Sequence, residues 1–319
     1  MKKNLTLSML TIILMMTVFI FISPNFVNAT TQITTDGVSI FTTVEPETQS
    51  KILQVDSKTN MVTEVNMDEV VQRISKTKST NGNVPDFTSS YTPVNLLNNN
   101  ETKTPGLRAS SLIRIANTTN TPYIKVCRIS WNGGSGSGSG YLVGPNLVLT
   151  AAHCFLDVNG NVLPEWTCNP AYDYGVYNNL TSGWQEGFYG SNWVSTRSAS
   201  EDWCIVVLDW NMGNEVGWFG CQSYGTNAEM NNIFVHSIGY PETENCQYQY
   251  YAPGNILTTY NGYFDMSATP RPGMSGGPIM RWSDDVAIGI NHGYYDDSVQ
   301  NGVGCRIHQE IINIILDHR

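Results

Sequence analysis

The chain has 319 residues and a formal net charge of −10, and only 14% of its residues are charged. Apolar residues make up 41%, with 8 Trp, 16 Tyr and 28 Gly. These proportions exclude a coiled coil, a collagen-like chain and wholesale disorder. They also make nucleic acid an unsuitable partner, because an acidic surface repels phosphate. The length suits one large domain or two small ones.

The first predicted element is a leader. Two lysines precede an apolar run over residues 5–22, and the side chains of Val27 and Ala29 suit a cleavage site. This pattern predicts a secretory signal peptide, residues 1–29, that is cut after Ala29. An uncleaved membrane anchor is the alternative, since the run nearly spans a bilayer. We therefore expect a secreted, extracellular protein that has no membrane contact after signal cleavage.

The next predicted region is residues 30–108, which contains neither Cys nor Trp. An amphipathic stretch over residues 67–74 indicates a short helix, and the Asn-, Thr- and Pro-rich residues 81–105 indicate a linker. We interpret residues 30–108 as a propeptide and linker removed on maturation, with an attached flexible arm as the alternative. Cleavage after Arg108 implies a trypsin-like activator, whereas cleavage after Glu101 suits self-processing.

Residues 109–319 are the predicted globular part. Its short β-rich runs are Tyr123–Ile129, Gly140–Val143, Leu147–Thr150, Cys204–Leu208, Ile233–Ile238, Pro278–Arg281 and Val286–Ile290. Their spacing predicts an antiparallel barrel or sandwich. We interpret the Gly-Ser run over residues 133–140 as a hairpin loop that enters a strand. A C-terminal helix is predicted because four isoleucines share one helical face, Ile307, Ile311, Ile314 and Ile315.

All seven cysteines lie in this globular part. In an exported chain they predict disulfides, with one thiol left over or paired with another molecule. Cys154 with Cys168 and Cys221 with Cys246 are plausible pairs. The sequence contains neither Cys-x-x-Cys nor His-Glu-x-x-His, which argues against a zinc site and a zinc peptidase.

The first chemically suggestive motif is Leu147–Cys154, a buried strand that ends in small residues and then presents His153. Small residues let a neighbouring backbone approach closely, so this histidine can stand at the edge of a cleft. The second motif places Asp202 at the head of the apolar strand Cys204–Leu208. A buried carboxylate needs partners, and a histidine N–H is one that also fixes the imidazole tautomer.

Each of these residues has a competing interpretation. A lone histidine is often structural, and an aspartate before a strand often caps a turn. Asp173 competes with Asp202, but it lies only 20 residues after His153 and no apolar run follows it. We therefore prefer Asp202 as the partner of His153.

The third motif, Arg271–Ile279, surrounds Ser275 with glycines. Glycines permit a tight turn that aims backbone N–H groups at one point, as a nucleophile beside an oxyanion hole requires. The N–H groups of Gly273 and Ser275 are the expected donors, and a turn without chemical meaning is the alternative. The order His153, Asp202, Ser275 matches one of the convergent orders in which a base, an orienter and a nucleophile occur.

With these motifs, residues 112–316 resemble the secreted bacterial chymotrypsin-fold serine proteases of the glutamyl endopeptidase type. The strings Val216–Gly220 and Gly239–Pro241 add to the resemblance. It implies an all-β fold of two six-stranded antiparallel barrels, with His153 and Asp202 from the first barrel and Ser275 from the second. It further implies an acyl-enzyme reaction on protein or peptide substrates, without a metal or organic cofactor. We expect a zymogen and a monomer.

Substrate preference is less clearly implied by the resemblance. Members that cut after Glu carry a histidine in the strand after the nucleophile, where this chain has Asn291, and His292 comes one residue later. Adjacent strand residues face opposite sides, so His292 should turn away unless a bulge restores it. We predict Thr269, Arg271, Asn291 and His292 as substrate-binding residues, with Arg271 attracting acidic side chains. A solvated loop cation is the alternative for Arg271.

Two alternatives from other classes stay open. A catalytically silent, protease-like binding or adhesion protein would keep the fold without reacting at Ser275. A relative with a cysteine nucleophile is disfavoured because Ser275 holds the nucleophile position.

Asp296 and Asp297 are interpreted as a solvated acidic loop in preference to a calcium site.

Overall fold

The computed structural model describes residues 30–35, 38–43, 51–80, 112–294 and 301–319. The predicted signal peptide, the linker, both candidate cleavage sites and the Asp296-Asp297 loop lie outside these ranges. The chain divides into two compact units, Met1–Gln49 and Ser50–Arg319. In the first, β1 (Thr30–Thr35) and β2 (Val38–Thr43) form an antiparallel hairpin.

The second unit consists mostly of strands. They are β3 (Ile52–Asp56), β4 (Val62–Glu64), β5 (Ile113–Arg114), β6 (Val126–Trp131), β7 (Gly136–Leu142), β8 (Leu147–Thr150), β9 (Thr167–Pro170), β10 (Trp184–Gly190), β11 (Cys204–Leu208), β12 (Phe234–Gly239), β13 (Tyr250–Thr259), β14 (Tyr263–Met266), β15 (Pro278–Arg281), β16 (Ala287–Tyr294) and β17 (Gly302–Arg306). The helices are α1 (Met67–Thr80), α2 (Trp193–Thr196), α3 (Gly213–Val216) and α4 (Gln309–Asp317). Among the described residues, no helix has the length and apolar character needed to cross a membrane.

The first sheet has eight strands in the order β4-β3-β10-β11-β8-β7-β6-β9. Its neighbours are antiparallel, and the pairing of β8 with β11 sets Thr150 opposite Cys204. An isolated bridge joins Cys168 in β9 to Ser182, which comes just before β10. This bridge connects the two outer strands of the six-stranded run from β10 to β9. The enclosed core includes Ile129 and Phe155.

The second sheet runs in the order β12-β15-β16-β17-β14-β13-β5, and β13 also pairs with β12. Six strands therefore close into a barrel, and β5 lies outside at the edge of β13. Phe264, Ile279 and Ile288 are fully buried in its core. The predicted all-β architecture with a C-terminal helix is confirmed. The six strands of the second sheet close through the continuous pairing of β12 with β13. The outer strands of the six-stranded run in the first sheet meet only at the bridge between Cys168 and Ser182.

The Gly-Ser run is a hairpin, as the sequence predicted. A turn over Asn132–Gly134 joins β6 to β7, and Gly138 lies opposite Ile129. A Cβ atom on Gly138 would stand 2.6 Å from the Sγ of Cys154. The missing side chain therefore lets β7 pass directly beside the loop that carries His153.

Part of the predicted propeptide is folded into the second unit. Strand β3 pairs with β10, so that Ile52 lies opposite Gly190. Helix α1 packs against α4 with Val70 buried, and Arg73 donates from Nε to Asp317 Oδ1 at 2.8 Å. Burial of a large apolar side chain contributes about 1.5–3 kcal/mol. These contacts make residues 51–80 an integral part of this unit.

The seven cysteines, all within the described residues, are buried free thiols. Neither of the expected pairs forms. The Sγ of Cys154 lies 3.4 Å from the carbonyl oxygen of Ser275, whereas Cys168 lies in the first core beside Cys127. Burial, and then the proximity of Cys127, raises the pKa of Cys168 well above its ordinary value. The two thiols of the expected Cys154–Cys168 pair thus have different neighbours.

Candidate active site

His153 stands where β8 ends, in a 3₁₀ turn over Ala152–Cys154. Ala151 and Ala152 are buried beneath the turn, and the His153 side chain keeps 35% of its surface exposed. Its backbone N–H donates to Asp202 Oδ1 at 3.1 Å, and its Nδ1 lies 2.7 Å from Asp202 Oδ2. This double contact fixes both the position of the residue and the orientation of the ring.

Asp202 comes directly before β11 and is fully buried. The pairing of β11 with β8 places it beside His153, as the sequence analysis predicted. The competing Asp173 is 46% exposed and lies 3.9 Å from Arg114. Burial by itself raises the pKa of the Asp202 carboxyl, but His153 and His292 outweigh it and lower this pKa well below its usual value. Asp202 is therefore a buried anion.

The same contact determines the protonation behaviour of His153. Burial is the largest single effect and lowers the pKa of the imidazole, but the charge and hydrogen bond of Asp202, together with Cys154, outweigh it and raise this pKa well above the ordinary 6.5. With the Nδ1 proton directed at Asp202, the neutral ring offers a lone pair at Nε2. A base of this kind is what the sequence analysis expected of His153.

Ser275 lies in the glycine-rich turn before β15. Gly273 and Gly276 have φ angles of 88° and 85°, which L side chains rarely adopt. A Cβ atom on Gly273 would stand 2.4 Å from the carbonyl oxygen of Tyr240, and one on Gly276 would stand 2.2 Å from that of Ser139. Both positions therefore require glycine for conformation and for space.

The turn leaves two backbone donors available. Among the hydrogen bonds of the described residues, neither the N–H of Gly273 nor that of Ser275 has an acceptor. By contrast, the neighbouring N–H groups of Met274 and Gly276 donate to Arg271 and Asn291. Two unpaired donors in one tight turn are the arrangement expected of an oxyanion hole.

Ser139 holds this turn, and the sequence analysis missed its role. Its backbone N–H donates to the carbonyl oxygen of Ser275 at 2.8 Å, and its hydroxyl donates to that of Gly273 at 2.9 Å. The same hydroxyl accepts from the N–H of Tyr240 at 2.9 Å. The only sequence signal was its place within a Gly-Ser run, which has no chemical specificity.

The Ser275 hydroxyl donates to the backbone carbonyl oxygen of His292 at 3.2 Å. Within the described part of the chain, no hydrogen bond joins it to His153. In this structure the Ser275 hydroxyl is therefore directed at His292 and not at His153. Catalytic hydrogen bonds are often long or poorly aligned before substrate binds.

His292 is a second histidine that contacts Asp202. It is the extra residue of a bulge between Asn291 and Gly293 in the pairing of β16 with β17. Its Nδ1 lies 2.6 Å from Asp202 Oδ2, the oxygen that also contacts His153. The bulge therefore interrupts the alternation of side chains at His292, and the imidazole contacts the Asp202 carboxylate. No local pattern in the sequence indicates this contact.

Asn291 is fully buried, and neither its Nδ2 nor its Oδ1 has a partner among the described residues. Its backbone is fixed, because its N–H donates to Gly277 and its carbonyl accepts from Gly276. Thr269 is buried, whereas Arg271 is half-buried near the start of the turn. An unpartnered buried amide is costly, so the Asn291 side chain is a candidate for contact with a ligand.

Sequence comparison places the chain near known peptidases. Residues 138–290 match the family of the trypsin-like peptidase domain. A glutamyl endopeptidase of Bacillus licheniformis is 30% identical over 221 residues, 63% of this chain and 64% of that protein. An extracellular metalloprotease of Bacillus subtilis is 30% identical over 138 residues, 38% of this chain and 42% of that protein. The matches span less than two thirds of either relative.

Solved structures give the same picture of the fold. A Glu endopeptidase in complex with MPD has a TM-score of 0.57 at 19% identity, covering 64% of this chain and 94% of that one. A thermostable serine protease from an extremophilic microorganism has a TM-score of 0.53 at 19% identity, covering 63% of this chain and 97% of that one. The protease Anisep from Arthrobacter nicotinovorans gives 0.53 and 19%, with coverages of 62% and 96%. The chain shares the fold of these bacterial proteases.

Proposed function

We propose that this chain, which carries a trypsin-like peptidase domain over residues 138–290, is a serine endopeptidase that hydrolyses peptide bonds through an acyl-enzyme. The observation that supports this most directly is the 2.7 Å contact between His153 Nδ1 and the fully buried Asp202 carboxylate. It provides an oriented base close to the turn that bears Ser275. His153, Asp202 and Ser275 are the proposed catalytic triad.

In the proposed reaction, His153 Nε2 accepts the hydroxyl proton of Ser275 as Oγ attacks the peptide carbonyl carbon. The negative charge that develops on the carbonyl oxygen is stabilised by the N–H groups of Gly273 and Ser275. The buried negative charge of Asp202 stabilises the imidazolium, which agrees with the raised pKa of His153. The imidazolium then protonates the leaving amine, and water activated by the same histidine hydrolyses the acyl-enzyme.

We further propose that the protein is secreted and made as a zymogen. The leader pattern supports a signal peptide over residues 1–29, and the composition supports a propeptide and linker over residues 30–108, followed by the protease domain over residues 109–319. Because residues 51–80 pack on the second unit, cleavage of the linker alone need not release them. A monomer is the expected assembly, with protein or peptide substrates as its partners.

Acidic residues are the proposed preference at P1, the substrate residue before the cut bond. The name of the B. licheniformis relative supports this. So does the buried Asn291 amide, whose N–H groups lack a partner among the described residues and can donate to a carboxylate. Thr269 and Arg271 are proposed to complete the site. His292 is the weakest of the four candidates, because its Nδ1 is already engaged by Asp202.

The experiment that tests the proposal is labelling of the secreted protein with a fluorophosphonate, combined with cleavage profiling on a mixed peptide library. We expect one label per chain at Ser275, cuts after Glu or Asp, and loss of both in Ser275→Ala. Cuts after other residues would remove only the P1 preference. Correctly processed protein that neither labels nor cuts would favour the silent, protease-like alternative.

A further inference from the structure

More ligand atoms converge at the candidate active site than the proposed reaction uses. His153, Asp202 and His292 each offer one, and these atoms all lie within 4.8 Å of one another. Both Nδ1 atoms lie against the same oxygen, Asp202 Oδ2, at 2.7 and 2.6 Å. The rings meet nearly at right angles, 88°, with centroids 6.1 Å apart. Two imidazoles and one carboxylate therefore surround a single point.

We propose that these three residues form an inhibitory binding site for a divalent transition-metal ion such as Zn²⁺. The donor set decides the class of metal. Imidazole nitrogen with one carboxylate oxygen suits Zn²⁺, Cu²⁺ and Ni²⁺, whereas Ca²⁺ and Mg²⁺ take oxygen ligands. The inhibitory effect of the ion rests on the proposed function. The binding of the ion does not.

The geometry allows an ion to enter with small side-chain movements. Zinc lies about 2.0–2.2 Å from nitrogen and oxygen ligands, so tetrahedral ligands are roughly 3.3 Å apart, wider than the 2.6 and 2.7 Å contacts seen here. Small rotations of the two rings that move each Nδ1 atom by a few tenths of an ångström provide that space. The rings are 35% and 28% exposed, which leaves solvent access and an open coordination position.

The charge of the site also favours a cation. Asp202 is a buried anion, and both imidazoles lie directly against its Oδ2. Among the described residues, the ion pairs of this carboxylate are with these two histidines. A dication can therefore pair with a buried carboxylate that already lies between two nitrogen ligands.

Metal binding would disable the proposed base. A neutral imidazole that coordinates a metal through Nδ1 must carry its proton on Nε2. That nitrogen is the one that has to accept the Ser275 proton, so His153 can no longer act as a base. His292 would move as well, and its carbonyl oxygen is the acceptor of the Ser275 hydroxyl. The ion would thus act on both the base and the nucleophile.

Binding is tested without reference to activity, by calorimetric titration of the chelator-treated full chain, carrying Ser275→Ala to prevent self-digestion. We expect one Zn²⁺ per chain and no Ca²⁺. His292→Gln should weaken zinc binding by more than about tenfold, since even the outer partners of metal ligands are worth 10- to 100-fold. His308→Gln is the matched control, because that histidine pairs with Glu310 and not with Asp202.

His153→Gln provides a second ligand deletion if His292→Gln is misfolded, which circular dichroism would show. Loss of zinc binding in either folded variant, with His308→Gln unchanged, supports the site. Absence of zinc binding, or binding that neither ligand deletion weakens, overturns it. Loss in His308→Gln instead would identify an unrelated surface site and would also overturn the proposal.

Inhibition is tested on the active chain with a peptide substrate. The chelated enzyme should be active, zinc should suppress the rate and further chelator should restore it. His292→Gln, compared with its own metal-free rate, should need more than about tenfold more zinc. Inactivation by chelator alone would contradict an inhibitory role. A chain that binds zinc through His292 but shows neither labelling nor peptidase activity would refute the proposed function and leave the metal site standing.

Discussion

The backbone N–H of Ser139 donates to the carbonyl oxygen of Ser275 across 2.8 Å. Ser139 belongs to β7 of the first sheet, whereas Ser275 precedes β15 of the second barrel. Strand β7 pairs with β8, which ends next to His153. This contact therefore holds the proposed nucleophile in register with the half of the molecule that carries the proposed base.

The first prediction concerns the Ser139 hydroxyl. Ser139→Ala removes its bonds to Gly273 and Tyr240 and leaves buried groups unsatisfied, so we expect a loss of about 1–3 kcal/mol in the free energy of unfolding and a lower kcat. Urea unfolding and initial rates measure the two. Ser135→Ala is the control, because Ser135 is exposed in the same hairpin and should cost within about 0.5 kcal/mol. Equal effects of the two changes would contradict the anchoring role.

The second prediction separates the two candidate carboxylates. Asp202→Asn should lower kcat by roughly 10⁴-fold, the size of the same change in other triads, because the amide favours the wrong imidazole tautomer. Asp173→Asn should leave kcat nearly unchanged, since Asp173 is exposed and faces Arg114. Steady-state kinetics of both variants decide the matter. A ranking in the opposite order would show that Asp202 is not the orienting residue.

The third prediction concerns pH. Asp202 raises the pKa of His153 above 6.5, and only neutral His153 can accept a proton. The acidic limb of kcat/KM should therefore have its midpoint above 6.5 and fall as pH decreases through it. Any residual rate of Asp202→Asn should titrate at lower pH. The effect of His153 on stability depends on pH in the opposite direction from its effect on activity. Protonated His153 stabilises the folded state below pH 6.5, and this stabilisation is lost as pH rises through the raised pKa.

The fourth prediction concerns the buried Asn291 amide. Asn291→Leu removes two polar atoms that have no partner among the described residues, each costing about 1–3 kcal/mol. We therefore expect a higher free energy of unfolding. We also expect the ratio of kcat/KM for a Glu substrate to kcat/KM for a Gln substrate to fall by about tenfold or more, because one hydrogen bond to a charged group is lost. Urea unfolding and paired peptide substrates measure the two. Unchanged discrimination between Glu and Gln would remove Asn291 from the substrate site.

The fifth prediction concerns the docked segment. Val70 is 1% exposed in α1 and Val71 is 45% exposed, so Val70→Ala should destabilise the chain by about 1–3 kcal/mol. Val71→Ala should stay within about 0.5 kcal/mol. Urea unfolding in the Ser275→Ala background, which avoids self-digestion, compares the pair. Indistinguishable midpoints would mean that α1 is not held against α4 in solution.

The local patterns predicted much of the fold. Leu147–Thr150, Cys204–Leu208 and Pro278–Arg281 have the same bounds as β8, β11 and β15, because short apolar runs between turn residues suit strands regardless of their partners. The predicted helical face at the C-terminus corresponds to α4 for Ile311, Ile314 and Ile315, which are buried. Ile307 was wrongly placed on that face, because α4 begins only at Gln309. The expected cysteine pairs are not formed. Local patterns could not predict this, because spacing along the chain does not determine which side chains face each other.

His153, Asp202 and Ser275 were identifiable from sequence because each stands in a string with its own local signature: a strand end with small residues, the head of an apolar strand and a glycine turn. Ser139 and His292 have no such signature. The contact of His292 with Asp202 joins residues 90 apart in the chain and depends on one bulge in β16. The strand pattern, the turns and the choice of the three proposed catalytic residues therefore follow from local chemistry that the sequence carries by itself. Only the tertiary structure decided what surrounds them, because register and barrel closure select which distant side chains meet.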